Sequence, residues 1–260
     1  MKNTVTVEIK NLFMSYGSNQ VLKGINLEIH KGEIIGYIGT NGAGKSTTIK
    51  IILGLVEGYT GEVKVLGADI SIDKIEYKRK IGYVPEIAEL YENLTAREYL
   101  TFIGELYGLS YEKANSKSER LIDIFGISSS FDLRLNSFSK GMKQKVLIIS
   151  SLLHNPEILL LDEPLSGLDA NSVMVVKEIL SELSKQGKTI FYSSHIMDVV
   201  EKISNRIILL NDGQVVADGS FEQLNYKRKA GSLEQIFNQI TGFSEYDTIA
   251  KNFVSIVKEA

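Results

Sequence analysis

Residues 36–52, GYIGTNGAGKSTTIKII, constrain this chain more than any other stretch. Gly39, Gly44, Lys45 and Ser46 satisfy the spacing G-x-x-x-x-G-K-[ST], after the apolar run EIIGYIG and before a segment that sets Ile49, Ile52 and Leu53 on one helical face. A buried strand therefore runs through a glycine-rich loop into a helix. Such a loop lets backbone N–H groups close around phosphate oxygens, and the helix start adds a favourable field. The candidate nucleotide-binding segment is Gly39, Thr40, Asn41, Gly42, Ala43, Gly44, Lys45, Ser46 and Thr47. In it Lys45 offers charge to the β/γ-phosphates and Ser46 a hydroxyl to Mg²⁺.

Around this loop the patterning organises the chain. Val5, Val7 and Ile9 alternate with polar residues and VLKGINLEIHKGEI continues likewise, so residues 1–32 read as antiparallel strands. GEVKVLG reads as a further strand and precedes IGYVPE (81–86). Residues 87–156 are polar and helix-rich, with LTAREYLTFIGELYGL and SKSERLIDIFGI near a 3.6 period, and predict an inserted helical lobe. EILLLDE and TIFYSSH are nearly continuous apolar runs, the pattern of strands buried on both faces of a parallel sheet. RIILLNDGQVVADG predicts a hairpin turning at Asp212-Gly213.

Three further features carry chemistry. EILLLDEP delivers Asp162 and Glu163 at the carboxyl end of a predicted central strand, where open α/β sheets place ligands. Asp162 suits a water-mediated Mg²⁺ ligand, and Glu163 suits orienting or deprotonating an attacking water. FYSSH delivers His195 at another strand end, where its imidazole can reach a γ-phosphate or orient that water. SFSKGMKQKV (137–146) is a second helix start, with Ser139 and Gly141 where N–H groups could meet an anion.

Composition removes other classes. With 29 Lys and Arg against 32 Asp and Glu, the net charge of −3 leaves no basic excess for phosphate neutralisation, so no nucleic acid is expected. Zero cysteines exclude disulfides and thiolate metal sites. MKNTVTVEIKNLF has no apolar signal-peptide core, and nowhere do about eighteen apolar residues run together, so neither a signal peptide nor a membrane span is expected.

With these motifs in one order, residues 5–225 resemble the nucleotide-binding subunit of ABC transporters. The resemblance implies an α/β fold: a P-loop NTPase (ABC ATPase) core with an N-terminal antiparallel β-subdomain and an inserted helical subdomain. An ATP-binding domain would span 1–225, with its helical subdomain at about 87–156, followed by a short helical tail at 226–260. It implies ATP hydrolysis with ATP and Mg²⁺, in a head-to-tail pair where each loop is completed by the other protomer's signature segment. Ser139, Lys140, Gly141 and Met142 would be that signature, and the second anion-facing helix start then has a purpose. The family's commonest form is S-G-G-Q; here Lys140 and Met142 depart from it, while the hydroxyl and second glycine remain. Tyr16 resembles the aromatic that stacks on adenine, and SGLD (166–169) resembles the D-loop, making Asp169 an interprotomer contact. Glu86 stands where the family usually has a glutamine that contacts Mg²⁺, keeping an oxygen ligand but losing the N–H donor. The basic run KIEYKRK (74–80) reads as a solvated face, with acidic headgroups or a partner as the alternative.

GSLEQIFNQITG (231–242) resembles the S-L-E-x-x-F-x-x-L-T-G ending of ABC-2-type exporter subunits and is also a plain amphipathic helix, with Leu233, Ile236, Phe237 and Ile240 in one stripe. The resemblance thus implies an exporter ATPase on the cytoplasmic face of the membrane, held by a separate integral membrane permease and paired with a second copy or a paralogue. The alternative is a soluble ABC-type ATPase scaffold in assembly or on nucleic acid. A P-loop GTPase or small-molecule kinase fits less well, since no N-K-x-D guanine reader is present.

Overall fold

Alternation near the N-terminus does build a hairpin. β1 (Val5–Tyr16) and β2 (Asn19–His30) pair antiparallel. β4 (Thr60–Val65) joins β1, and the short β5 (Ala68–Asp69) joins β4, giving a four-stranded sheet in the order β2-β1-β4-β5. A computed structural model describes residues 4–228, 231–242 and 246–258; the parts of the expected tail at 229–230, 243–245 and 259–260 lie outside the described residues.

The second sheet uses β3 (Ile34–Gly39), β6 (Ile81–Val84), β7 (Ile158–Asp162), β8 (Thr189–Ser193), β9 (Arg206–Asn211) and β10 (Gln214–Gly219), in the order β10-β9-β3-β8-β7-β6. β6, β7, β8, β3 and β9 run parallel, and β10 closes an antiparallel hairpin at Asp212-Gly213. The apolar runs follow from two covered faces. Ile35, Tyr37, Leu160, Phe191 and Ile208 pack toward the four-stranded sheet, whereas Ile34, Ile38, Leu159, Leu161, Ile190 and Tyr192 pack toward helices on the other side. Each such side chain removed from water stabilises by about 1.5–3 kcal/mol, so both faces are held.

Helix α1 (Lys45–Ile52) lies between the sheets, with Ile49, Ile51 and Ile52 buried; it ends one residue before Leu53, which belongs to the turn. In the helical segment α2 (Ala96–Leu106) starts at a capping box in which Glu98 N donates to Thr95 Oγ1 at 3.1 Å and Thr95 N to Glu98 Oε2 at 2.8 Å. α3 (Tyr111–Ile124) and α4 (Lys140–Leu152) follow. Leu100, Ile122, Val146 and Ile149 share one apolar cluster with Leu159 and Leu161 of β7, so these helices sit on the sheet's core.

α5 (Ala170–Lys185) and α6 (Met197–Ile203) connect the remaining parallel strands. α7 (Phe221–Arg228) spans position 225, where the sequence places the end of the ATP-binding domain. α8 (Leu233–Thr241) buries Leu233 and Ile236 completely in the same cluster, and Glu201 of α6 accepts from Leu233 N at 2.9 Å. α9 (Tyr246–Val257) carries exposed Ile249 and Phe253. The basic run at 74–80 is engaged locally: Lys74 pairs with Glu57, Arg79 with Glu76 and Lys80 with Glu157, while Lys78 donates to the Gly54 carbonyl.

Candidate functional site

β3 ends at Gly39 and α1 begins at Lys45, and the five residues between form the loop. Gly44 is obligatory twice over. Its φ is +104°, and a Cβ there would lie 2.4 Å from Leu22 Cδ2, because the hairpin presses on the loop. No side chain caps α1, so its first N–H groups remain for a ligand. Lys45 is buried, and its Nζ donates to the carbonyls of Gly39 at 2.7 Å and Thr40 at 3.1 Å. Burial pushes the Lys45 pKa down, against the upward pull of Asp162, Glu163 and Glu86.

Opposite the loop, β7 ends at buried Asp162, whose Oδ2 accepts from Ser46 Oγ at 3.1 Å. The next carboxylate, Glu163, accepts from Ser194 Oγ at 3.1 Å and from His195 N at 2.7 Å, with His195 Nε2 at 3.6 Å. Burial pushes the Glu163 pKa up; His195 and these two hydrogen bonds oppose the shift and Asp162 adds to it. A carboxylate raised in this way accepts a proton more readily. Glu86 follows β6, and with Asp162 it reinforces the burial that pushes the Tyr83 phenol up to about 12.

These groups face one cavity of about 500 Å³, lined by Asn19, Val21, the loop from Asn41 to Thr47, Glu86, Asp162, Glu163, Ser193 and His195. It lies at the carboxyl ends of parallel strands, where such sheets bind ligands. One lysine stands among three carboxylates, so a polyphosphate entering here needs additional positive charge. The oxygen atoms facing the cavity include the Ser46 hydroxyl and the carboxylates of Asp162, Glu163 and Glu86, the donor type that hard cations take.

Other expected residues fall outside that cavity. Gly39 and Thr40 supply carbonyls to Lys45; Thr40 and Asn41 also line an adjoining cavity with His195 and with Glu234, Phe237 and Asn238 of α8. Tyr16 is exposed at the hairpin end and pairs in register with Asn19, which lines this cavity where Tyr16 does not. Ser139 caps α4 by accepting from Met142 N at 3.2 Å, and none of Ser139, Lys140, Gly141 and Met142 lines the cavity. Lys140 and Gly141 pack on their own chain's SGLD segment instead. A Cβ on Gly141 would lie 2.5 Å from the Gly167 carbonyl oxygen, Lys140 lies across Gly167, and buried Gln144 donates to the Pro164 carbonyl at 2.9 Å. Asp169 caps α5 through Ser172, and those bonds, with Lys145 at 3.5 Å, hold its carboxyl down to about 2.

Sequence reading passed over Asn19, Val21, Ser193 and Ser194. The serines adjoin His195 in FYSSH and were open to notice; Asn19 and Val21 reach the site only because the hairpin folds onto the loop.

Comparison with known proteins gives the arrangement a family. The family model described as ABC transporter matches residues 22–166, more than half of the chain. Linearmycin resistance ATP-binding protein LnrL of Bacillus subtilis (strain 168) is 35% identical over 244 residues, covering 94% of this chain and 78% of that protein. A solved structure of the ATP binding subunit of an ABC transporter superposes with a TM-score of 0.85 at 33% identity, covering 91% of this chain and 99% of the other. The dimeric structure of a post-hydrolysis state of the ATP-binding cassette MJ0796 bound to ADP and Pi superposes with a TM-score of 0.75 at 29% identity, covering 82% and 98%. A loop that leaves N–H groups for phosphate, opposite a carboxylate made more basic by burial, belongs here to an ATP-hydrolysing protein, and the chain is a member of the ABC transporter family, an ATP-binding subunit of a transporter.

Proposed function

We propose that the chain works in a head-to-tail pair enclosing two ATP molecules, and that the pair drives an ABC-2-type exporter through a separate integral membrane permease subunit. One observation carries the paired site: the capped start of α4 sits on its own SGLD segment and faces none of its own chain's phosphate cavity. A second copy, or a paralogue, gives that helix start a phosphate to meet. The dimeric state of MJ0796 bound to ADP and Pi supports the same reading. For export, support comes from the resistance function in the name of LnrL and from the 231–242 sequence pattern. Among the described residues no helix is long and apolar enough to cross a membrane, so this reading holds the chain to the cytoplasmic face through the permease.

In this account the N–H groups of the loop and α1 take the phosphates, and Lys45 turns from the Gly39 and Thr40 carbonyls to the β/γ-phosphates. Tyr16, beside Asn19 at the hairpin end, stacks on adenine. Ser46, Asp162 and Glu86 would hold Mg²⁺, which neutralises phosphate charge when bound. Glu163 takes a proton from the attacking water while His195 donates toward the γ-phosphate. Ser139 and Gly141 of the second copy close the site, with Asp169 at the contact between copies.

Glu163→Gln keeps shape and reach but accepts no proton, so it should bind ATP, barely turn it over, and elute as a dimer from size-exclusion chromatography with ATP and Mg²⁺. A monomeric elution of that variant, under conditions where the wild type hydrolyses ATP, contradicts the paired site. Co-purification of a hydrophobic membrane subunit is the expected sign of transport; a soluble partner alone favours an assembly role.

A further inference from the structure

Glu163 has φ +48°, in the left-handed region that a residue bearing a Cβ occupies only where its surroundings hold it. Three consecutive residues after the core of β8 do the holding. Glu163 N donates to the Ser193 carbonyl at 3.0 Å, Ser194 Oγ donates to Oε2 at 3.1 Å, and His195 N donates to Oε1 at 2.7 Å. The Ser194 oxygen in turn accepts from Ile196 N at 3.1 Å. An ionised Glu163 has no proton to give, so in the 3.1 Å contact the Ser194 hydroxyl is the donor. Ser194 is buried, so bulk water does not compete for it.

We infer that Ser194 is a positioning residue for ATP hydrolysis, its hydroxyl fixing the Glu163 oxygen that the His195 amide does not hold and thereby setting where the carboxylate meets water. The inference rests on the reading of Glu163 as the base. With both oxygens held, the carboxylate plane is fixed while each oxygen keeps a further lone pair for the water. Without the hydroxyl, the terminal torsion of a glutamate is soft and the plane turns about it. Misplacement by about 1 Å costs up to roughly a hundredfold in rate, so the effect falls on the chemical step and spares binding.

The test is steady-state ATPase kinetics on Ser194→Ala, Ser194→Thr and Ser194→Val. Ser194→Ala should lower kcat by about tenfold with KM for ATP within about twofold of wild type. Ser194→Thr should restore kcat. Threonine and valine share a shape and differ in the hydroxyl, so the Thr–Val comparison stands even if the alanine variant does not fold. Wild-type kcat in Ser194→Val, a threonine variant as slow as the valine one, or a loss carried by KM overturns the inference. Glu163→Gln measured alongside separates the two layers: wild-type turnover there removes Glu163 as the base, whereas an inactive Glu163→Gln beside a fully active Ser194→Val removes Ser194 alone.

Discussion

The starts of helices α1 and α4 are built in opposite ways. α1 starts behind Gly44 with no side-chain cap, next to a buried lysine and facing the Asp162 and Glu163 carboxylates. α4 starts behind Ser139, which accepts from Met142 N, and its first turn rests on Gly167 of the same chain. The first N–H groups of α1 open into the cavity without a side-chain partner, so a phosphate can take them directly. At α4 the Ser139 hydroxyl already holds the Met142 N–H within the single protomer. On the proposed reading they have separate tasks: the first binds ATP in the monomer, and the second recognises ATP that another protomer holds.

The largest expected effect breaks the first end. Lys45→Ala removes the buried cation of the phosphate cavity and should weaken ATP binding by about a hundredfold or more, measured by calorimetry on the monomer. Near-normal affinity would make the two ends equivalent. A smaller effect sharpens the second end. Gly141→Ala sets a methyl 2.5 Å from the Gly167 carbonyl oxygen, a backbone atom that cannot turn aside, and should cost about 1–3 kcal/mol in chemical denaturation while leaving monomer ATP affinity unchanged. Wild-type stability in that variant would show that the signature and SGLD segments are not packed as one unit.

What the sequence disclosed follows from how local each signal is. The loop from Gly39 to Ser46, the strand end at Asp162 and the hairpin at Asp212-Gly213 each depend on neighbours within a few residues, and each is found where the pattern places it. The parallel sheet was legible because burial on both faces removes the polar alternation from β7 and β8. Tertiary contacts were not. The place of Asn19 and Val21 depends on Leu22 meeting Gly44, and the engagement of the basic run depends on Glu57 and Glu157, distant in the chain. Ser194 stood in view beside His195, but its bond to Glu163, 31 residues away in the chain, is visible only in the fold. The amphipathic stripe at 233–240 forms as expected, yet its partner, the cluster shared with α6, has no mark in the sequence.

The central claim, that each ATP site takes its loop from one protomer and its signature from the other, is tested most directly by mixing two inactive variants. Lys45→Ala destroys the loop, and Ser139→Arg blocks the α4 end while leaving the loop of its own chain intact. In a mixed pair one composite site loses both halves and the other keeps both. With random assortment and independent sites, an equal mixture should recover about a quarter of wild-type ATPase activity, although each variant alone shows almost none. A mixture as inactive as its components, with mixed pairs demonstrated by cross-linking, would contradict the shared site and return both helix starts to a single chain.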